Sequence, residues 1–212
     1  MWALVEDNAI TKIINNPKAM VIGDVRYPAK IFQLWSKSEL NAIGIYEVIT
    51  DSTNKKDEKW YINTNESYAF ADNKVTRSWG TATAKAHADS NAVDEDGNNI
   101  LDKDGNQVIN YGLKTQIIKT LKEQVANELA KTDWYITRNT EKSTAIPSAI
   151  STHRDAVRTK QAEMETAITN ASDTPALETL YTYTKQEDGS VTRPLGELPI
   201  LESKWSFLEL TP

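Results

Sequence analysis

The sequence predicts an α+β fold, with a small β-rich N-terminal unit and a β-meander followed by an α-helical hairpin and an extended C-terminal arm. Three observations lead there. Up to about residue 110, short β-branched and aromatic runs alternate with Asn- and Asp-rich turns; at Leu113 the apolar spacing lengthens to four; and beyond Asp173 Pro175, Pro194, Gly196 and Pro199 break up every run. The corresponding segments are 1–51, 58–110, 113–171 and 172–212.

Met1–Glu6 and Ile10–Ile14 flank Asp7-Asn8, a pair that tolerates positive φ and so suits a hairpin turn. Pro17 and Pro28 bracket Met20–Tyr27 and disfavour helix there, with a bend at Gly23-Asp24. Ser36 or Ser38 can cap a short helix through Ala42 with Glu39 in its first turn, and Gly44 stops it before an Ile45–Ile49 strand. Asp51–Glu58 has nothing apolar to bury and reads as a loop. Trp60–Ile62, Tyr68–Ala71 and Val75–Trp79 then form the meander, with Asp72-Asn73 as a second hairpin turn. Thr81–Asn91 carries no decisive period.

From Leu113 the residues Leu113, Ile117, Leu121, Val125 and Leu129 recur at helical spacing, widened by Ile118 and Ala126. This helix runs to about Lys131, roughly 28 Å, and its seam is narrow. A second helix opens at Pro147 and continues through Ile150, Val157, Met164 and Ile168 to Ala171, giving an antiparallel hairpin. Asp173-Thr174-Pro175 caps a short Ala176–Leu180 turn, and the remaining arm is expected to be extended.

The chain has 212 residues, 24 Lys+Arg against 30 Asp+Glu, a net charge of -6 and no cysteine. Thiolate chemistry, disulfides and cysteine-held metals are therefore excluded. The acidic balance argues against binding to a nucleic acid backbone. No apolar run is long enough to insert in a membrane, and Met1–Glu6 turns polar too early for a secretory signal.

Two acidic units, Asp94–Ile100 and Asp102–Val108, each contain Asp-Gly-Asn, so Asp94, Asp96, Asp102 and Asp104 are the calcium candidates. An EF-hand count puts Ile100 or Ala92 at the first ligand position, however, and the turn chemistry favours hairpin tips. Catalysis by this carboxylate group would lack a rigid support. His87 and His153 have no partner four residues away, and the neighbours Arg154, Asp155 and Arg158 predict a polar surface around His153. The sequence contains no nucleophile elbow, phosphate-binding loop or dinucleotide fingerprint. Trp2, Trp35, Trp60, Trp79, Trp134 and Trp205 are dispersed, which suits separate anchors better than a ligand platform. In the TDWYITR motif, Trp134 and Tyr135 are expected to plug the junction of the two helices while Asp133 or Glu141 fixes Arg138.

Two stretches resemble a known family. The block from Met1 to Val48 resembles a module of tailed-bacteriophage tail and tail-fibre-associated proteins, with Trp2, Pro28, Phe32, Trp35, Glu39, Leu40, Gly44 and Tyr46 in its pattern. The block from Leu129 to Arg158 resembles a segment found downstream in similar virion proteins. Together they span a little over a third of the chain, and the Asp-Gly-Asn units lie outside the pattern, as an insertion would.

The resemblance implies a structural component of the virion tail, near the tip, baseplate or fibre attachment, made in the host cytoplasm and docked to other phage tail proteins. It brings no catalytic residue and no cofactor. Trp2, Phe32 and Trp35 are the expected anchors of the first block, and Trp134, Tyr135 and Arg138 those of the second. The narrow Leu113–Leu129 seam predicts a homo-oligomer, trimeric as in many fibre-associated proteins. Two other readings stay open: a tail-fibre assembly chaperone, and a carbohydrate-binding or carbohydrate-cleaving receptor protein.

Overall fold

A computed structural model describes residues 1–201. Residues 202–212, with Trp205 and the end of the expected C-terminal arm, lie outside the described residues. The fold is α+β, built as two compact units that divide between Ala84 and Lys85. The expected breaks near residues 51 and 110 fall inside these units, for reasons that lie in long-range pairing.

The first unit begins with strands β1 (Trp2–Glu6) and β2 (Ala9–Ile14), joined by Asp7 and Asn8 at φ 49° and 62°. Hairpin β3 (Met20–Ile22) and β4 (Val25–Tyr27) follows, turning at Gly23, then helices α1 (Ile31–Leu34) and α2 (Lys37–Ala42). Ser36 and Glu39 form a reciprocal capping box at the start of α2. Gly44, at φ 82°, ends the turn after it; a Cβ there would lie 2.6 Å from the Val5 carbonyl oxygen, so the position also needs glycine for space.

Strand β5 (Ile45–Thr50) then pairs antiparallel with β1. After a polar loop come β6 (Tyr61–Ile62), β7 (Ser67–Ala71), β8 (Lys74–Ser78) and β9 (Thr83–Ala84). β8 pairs parallel with β5, giving a five-stranded sheet in the order β2-β1-β5-β8-β7. This parallel pairing joins the meander to the N-terminal block, which is why no boundary falls at residue 51. β6 leaves the meander to pair with β9.

Alternation along β1 explains its apolar run. Leu4 packs with Ile14, Ile31, Leu40 and Ile45 on the helix-covered face, while Ala3 and Val5 pack with Val75 on the other. The sheet curls to bring β7 towards β2, so Phe70 and Tyr46 help to cover that second face.

The second unit opens with β10 (Ser90–Asn91), which pairs antiparallel with β11 (Ile109–Asn110). Between them the two Asp-Gly-Asn units form hairpin arms, closed by the bridges Val93–Asn99 and Leu101–Gln107. At the centre Ala92 N–H donates to Val108 O, Val108 N–H to Ile100 O and Ile100 N–H to Ala92 O, at 2.8, 2.9 and 2.9 Å. This closed ring of three backbone hydrogen bonds makes a three-way junction.

Helix α3 (Leu113–Ala130) starts at Gly112, which offers no side-chain cap. Asp89 supplies one, accepting from Gly112 N–H and Thr115 Oγ1 at 2.8 Å each. The segment that carried no period in sequence thus fixes the start of the α3 seam. Helices α4 (Asp133–Lys142), α5 (Ser148–Asn170) and α6 (Thr174–Tyr181) follow, and α4 is an addition to the expected helical pair. α3 and α5 run antiparallel, since Lys114 reaches the Thr169 carbonyl while Glu128 meets His153. The short turn expected after Asp173 is α6, with Asp173 accepting from Ala176 N–H, while the arm beyond it, expected to be extended, contains a hairpin, β12 (Thr184–Lys185) with β13 (Val191–Thr192), turning at Gly189. Its Asp-Gly turn repeats the chemistry of the two junction arms.

Candidate interaction surfaces

In the first unit the aromatic anchors are parts of the core wall. Trp2 meets Phe32 at 5.9 Å between ring centroids, Trp35 meets Tyr27 edge-on at 5.8 Å, and all four flank the cluster around Leu40 and Ile45. Leu34 on α1 and Val21 and Val25 on the β3–β4 hairpin point their apolar side chains into solvent. Trp60 and Trp79 are buried, so neither can serve as a stacking platform for a ligand.

On α3, Leu113, Leu121 and Val125 are buried, and Ile117 and Leu129 are half-buried. α5 faces them with Ile150, Val157, Met164 and Ile168. The seam is therefore covered within the unit, and its narrowness no longer calls for a second chain. What α3 leaves outside is a shallow groove with Ile118 and Ala126 among Lys119, Lys122 and Glu123.

The Thr132–Arg138 corner differs from the expected plug. Tyr135 is buried, but Trp134 is 45% exposed, and Arg138 stacks over Trp134 at 4.7 Å instead of pairing with Asp133. Asp133 accepts from Arg154, whose Nη1 also donates to Leu129 O at 2.8 Å and Thr132 Oγ1 at 2.6 Å. Arg154 is only 8% exposed, so the end of α3 and the start of α4 are held by a buried guanidinium from α5.

Next to it, Glu128 is 6% exposed and accepts from His153 Nε2 at 3.2 Å, from Lys131 Nζ and from the Leu201 N–H at 2.8 Å. Burial alone would raise the Glu128 carboxyl, but the bonds from Lys131 and Leu201 and the neighbouring charges outweigh it and hold the group below the ordinary carboxylate range. His153, expected at the surface, is thus tucked against a buried acid. A sequence signal for this cluster exists: Glu128 follows Leu121 and Val125 on the apolar stripe of α3, and Arg154 stands between Ile150 and Val157 on that of α5.

Asp94, Asp96, Asp102 and Asp104 sit on the two exposed hairpin arms, with Gly97 and Gly105 at φ 84° and 83°. Asp94 Oδ1 accepts from the N–H groups of Asp96 and Asn98, and Asp102 Oδ1 from those of Asp104 and Asn106. These bonds, led by Asn98 for Asp94 and Asn106 for Asp102, hold both carboxyls below their ordinary values. Their oxygens cap the turns they belong to. Among the described residues no group of three acidic or histidine side chains is arranged to hold a metal ion, and no helix is long and apolar enough to cross a membrane.

No known protein-family model matches the chain, and no curated protein or solved structure matches it.

Proposed function

We propose that the chain is a non-enzymatic structural component of a bacteriophage tail, acting in a fibre, a fibre adaptor or a baseplate attachment through protein–protein docking. The observation that carries this reading is the resemblance of the Met1–Val48 block to tail and tail-fibre-associated proteins. Supporting it, the pattern residues of that block have mechanical tasks in one unit. Trp2, Phe32 and Trp35 wall the core, Leu40 fills it, Glu39 caps α2 and Gly44 permits the close approach to β1. Residues with such tasks define a shape to be docked rather than a reaction to be run.

The net charge of -6 lies in the second unit, because the first carries equal numbers of basic and acidic side chains. A neutral first unit with exposed Val21, Val25 and Leu34 suits contact with other tail proteins, and an acidic second unit suits a place on the outside of the tail. A homo-oligomer, trimeric by the family resemblance, would use outer surfaces such as the Ile118–Ala126 groove, since the inner seam of α3 is taken.

Quantitative mass spectrometry of purified virions tests the proposal. Stoichiometric amounts in the particle are expected; absence from particles that nevertheless need the protein to assemble would overturn it in favour of a tail-fibre assembly chaperone.

A further inference from the structure

After the β12–β13 hairpin the chain returns across its own unit. Leu195 is buried and its N–H donates to Leu180 O at 3.0 Å, which roots the returning segment at the end of α6. Arg193 shapes the bend, donating from Nε to Gly196 O at 2.9 Å and from Nη2 to the Glu197 carboxylate at 2.7 Å. Further on, Ile200 is 74% exposed, and the next residue, Leu201, donates its backbone N–H to Glu128 on α3.

Glu128 has partners besides that donor. A buried carboxylate is stable only when donors or cations surround it. Lys131, just past the end of α3, and His153 on α5 supply two, while the neighbouring Arg154 is committed to Leu129, Thr132 and Asp133. The third donor comes from the returning segment. The contact is charge-assisted and lies at the far end of the segment from its apolar root at Leu195, so the end can detach while the root stays.

We propose that residues 193–201 are a strap and that Glu128 is its clasp: the strap end closes on α3 when the Leu201 N–H meets the ionised carboxylate, and opens when that charge is removed. The helices need not move.

The absence of cysteine allows a direct test, because Ile200→Cys introduces a single site for a nitroxide label. In the full chain the label should be motionally restricted. Glu128→Gln keeps an acceptor but loses the charge, and should raise the open fraction roughly tenfold, the factor separating a charge-assisted from a neutral hydrogen bond. Leu201→Pro removes the donor while leaving Glu128, Lys131 and His153 in place, and should give the same mobile spectrum with unchanged helical circular dichroism. A label already mobile in the otherwise unaltered chain, or one still restricted in Leu201→Pro, overturns the proposal even if Glu128→Gln fails to fold.

Discussion

Replacing Arg154 with methionine tests where the corner between α3 and α4 is held. Methionine keeps most of the volume and removes the guanidinium, with its bonds to Leu129 O, Thr132 Oγ1 and Asp133 Oδ1. The Asp133 side chain is 61% exposed, so solvent screens that ion pair and its share is near zero. The other two are charged hydrogen bonds in a buried setting, together about 3–6 kcal/mol. Against this, Arg154 Nε is buried without a hydrogen-bond partner among the described residues, and relieving it returns about 1–3 kcal/mol. The net loss is roughly 2–3 kcal/mol, near 10 °C in Tm for a unit of this size. Urea unfolding followed by far-UV circular dichroism measures it. Trp134→Ala is the reference, because half-exposed Trp134 contributes only about 1 kcal/mol. If Trp134→Ala proves the more damaging of the two, the guanidinium does not hold the corner and the aromatic plug does.

Gly112→Ala should cost about 1–3 kcal/mol by thermal unfolding, because a Cβ there would lie 2.4 Å from backbone atoms of Ala88, which cannot swing aside; a neutral result would mean that the Asp89 cap tolerates a shifted backbone. The pH dependence follows from Glu128, whose folded-state pKa is lowered. Its contribution is fully present above the ordinary carboxylate range and is lost as pH falls through the lowered value. Acid unfolding of Glu128→Gln should therefore be shallower than that of the unaltered protein, and identical acid limbs would refute the assignment.

Local chemistry was the legible part of this fold. Asp7-Asn8 and Asp72-Asn73 adopt the positive φ that a tight hairpin requires, and Ser36 with Glu39 forms the cap that its spacing announces. Each of these depends on neighbours a few residues away. The parallel register of Val48 with Val75 depends on two segments meeting in space, and neither carries a mark of the other. The same holds for Asp89, which caps a helix 23 residues away from its own position. Arg154 and Glu128 were hidden for a different reason: a charged residue on an apolar stripe looks like a flaw in the pattern until its partner on the facing helix is known. The Asp-Gly turn at Gly189 was readable from its likeness to those at Gly97 and Gly105, but the prolines around it suggested an extended arm.

The three-way junction allows one larger change to be argued through. Ala92, Ile100 and Val108 each stand at the meeting of two arms, and their ring of hydrogen bonds keeps the entry strand β10 beside the exit strand β11. The arms themselves bury little, since Val93, Ile100 and Leu101 are exposed, and their aspartates bond within their own turns. Suppose residues 93–107 are replaced by Asn-Gly. Ala92 N–H keeps its acceptor, Val108 O; the Val108 N–H loses Ile100 O, and the Ala92 carbonyl is freed to receive it. That exchange turns the ring of three bonds into the reciprocal pair that flanks a two-residue hairpin, for which Asn-Gly is the preferred turn. Asp89 still reaches Gly112, so the cap of α3 survives. The shortened chain should retain its helical circular dichroism and lose no more than about 1 kcal/mol, the scale of one or two hydrogen bonds. Loss of the helical signal would mean that the arms support α3 directly, and that they are a structural member of the second unit instead of an insertion carried at its edge.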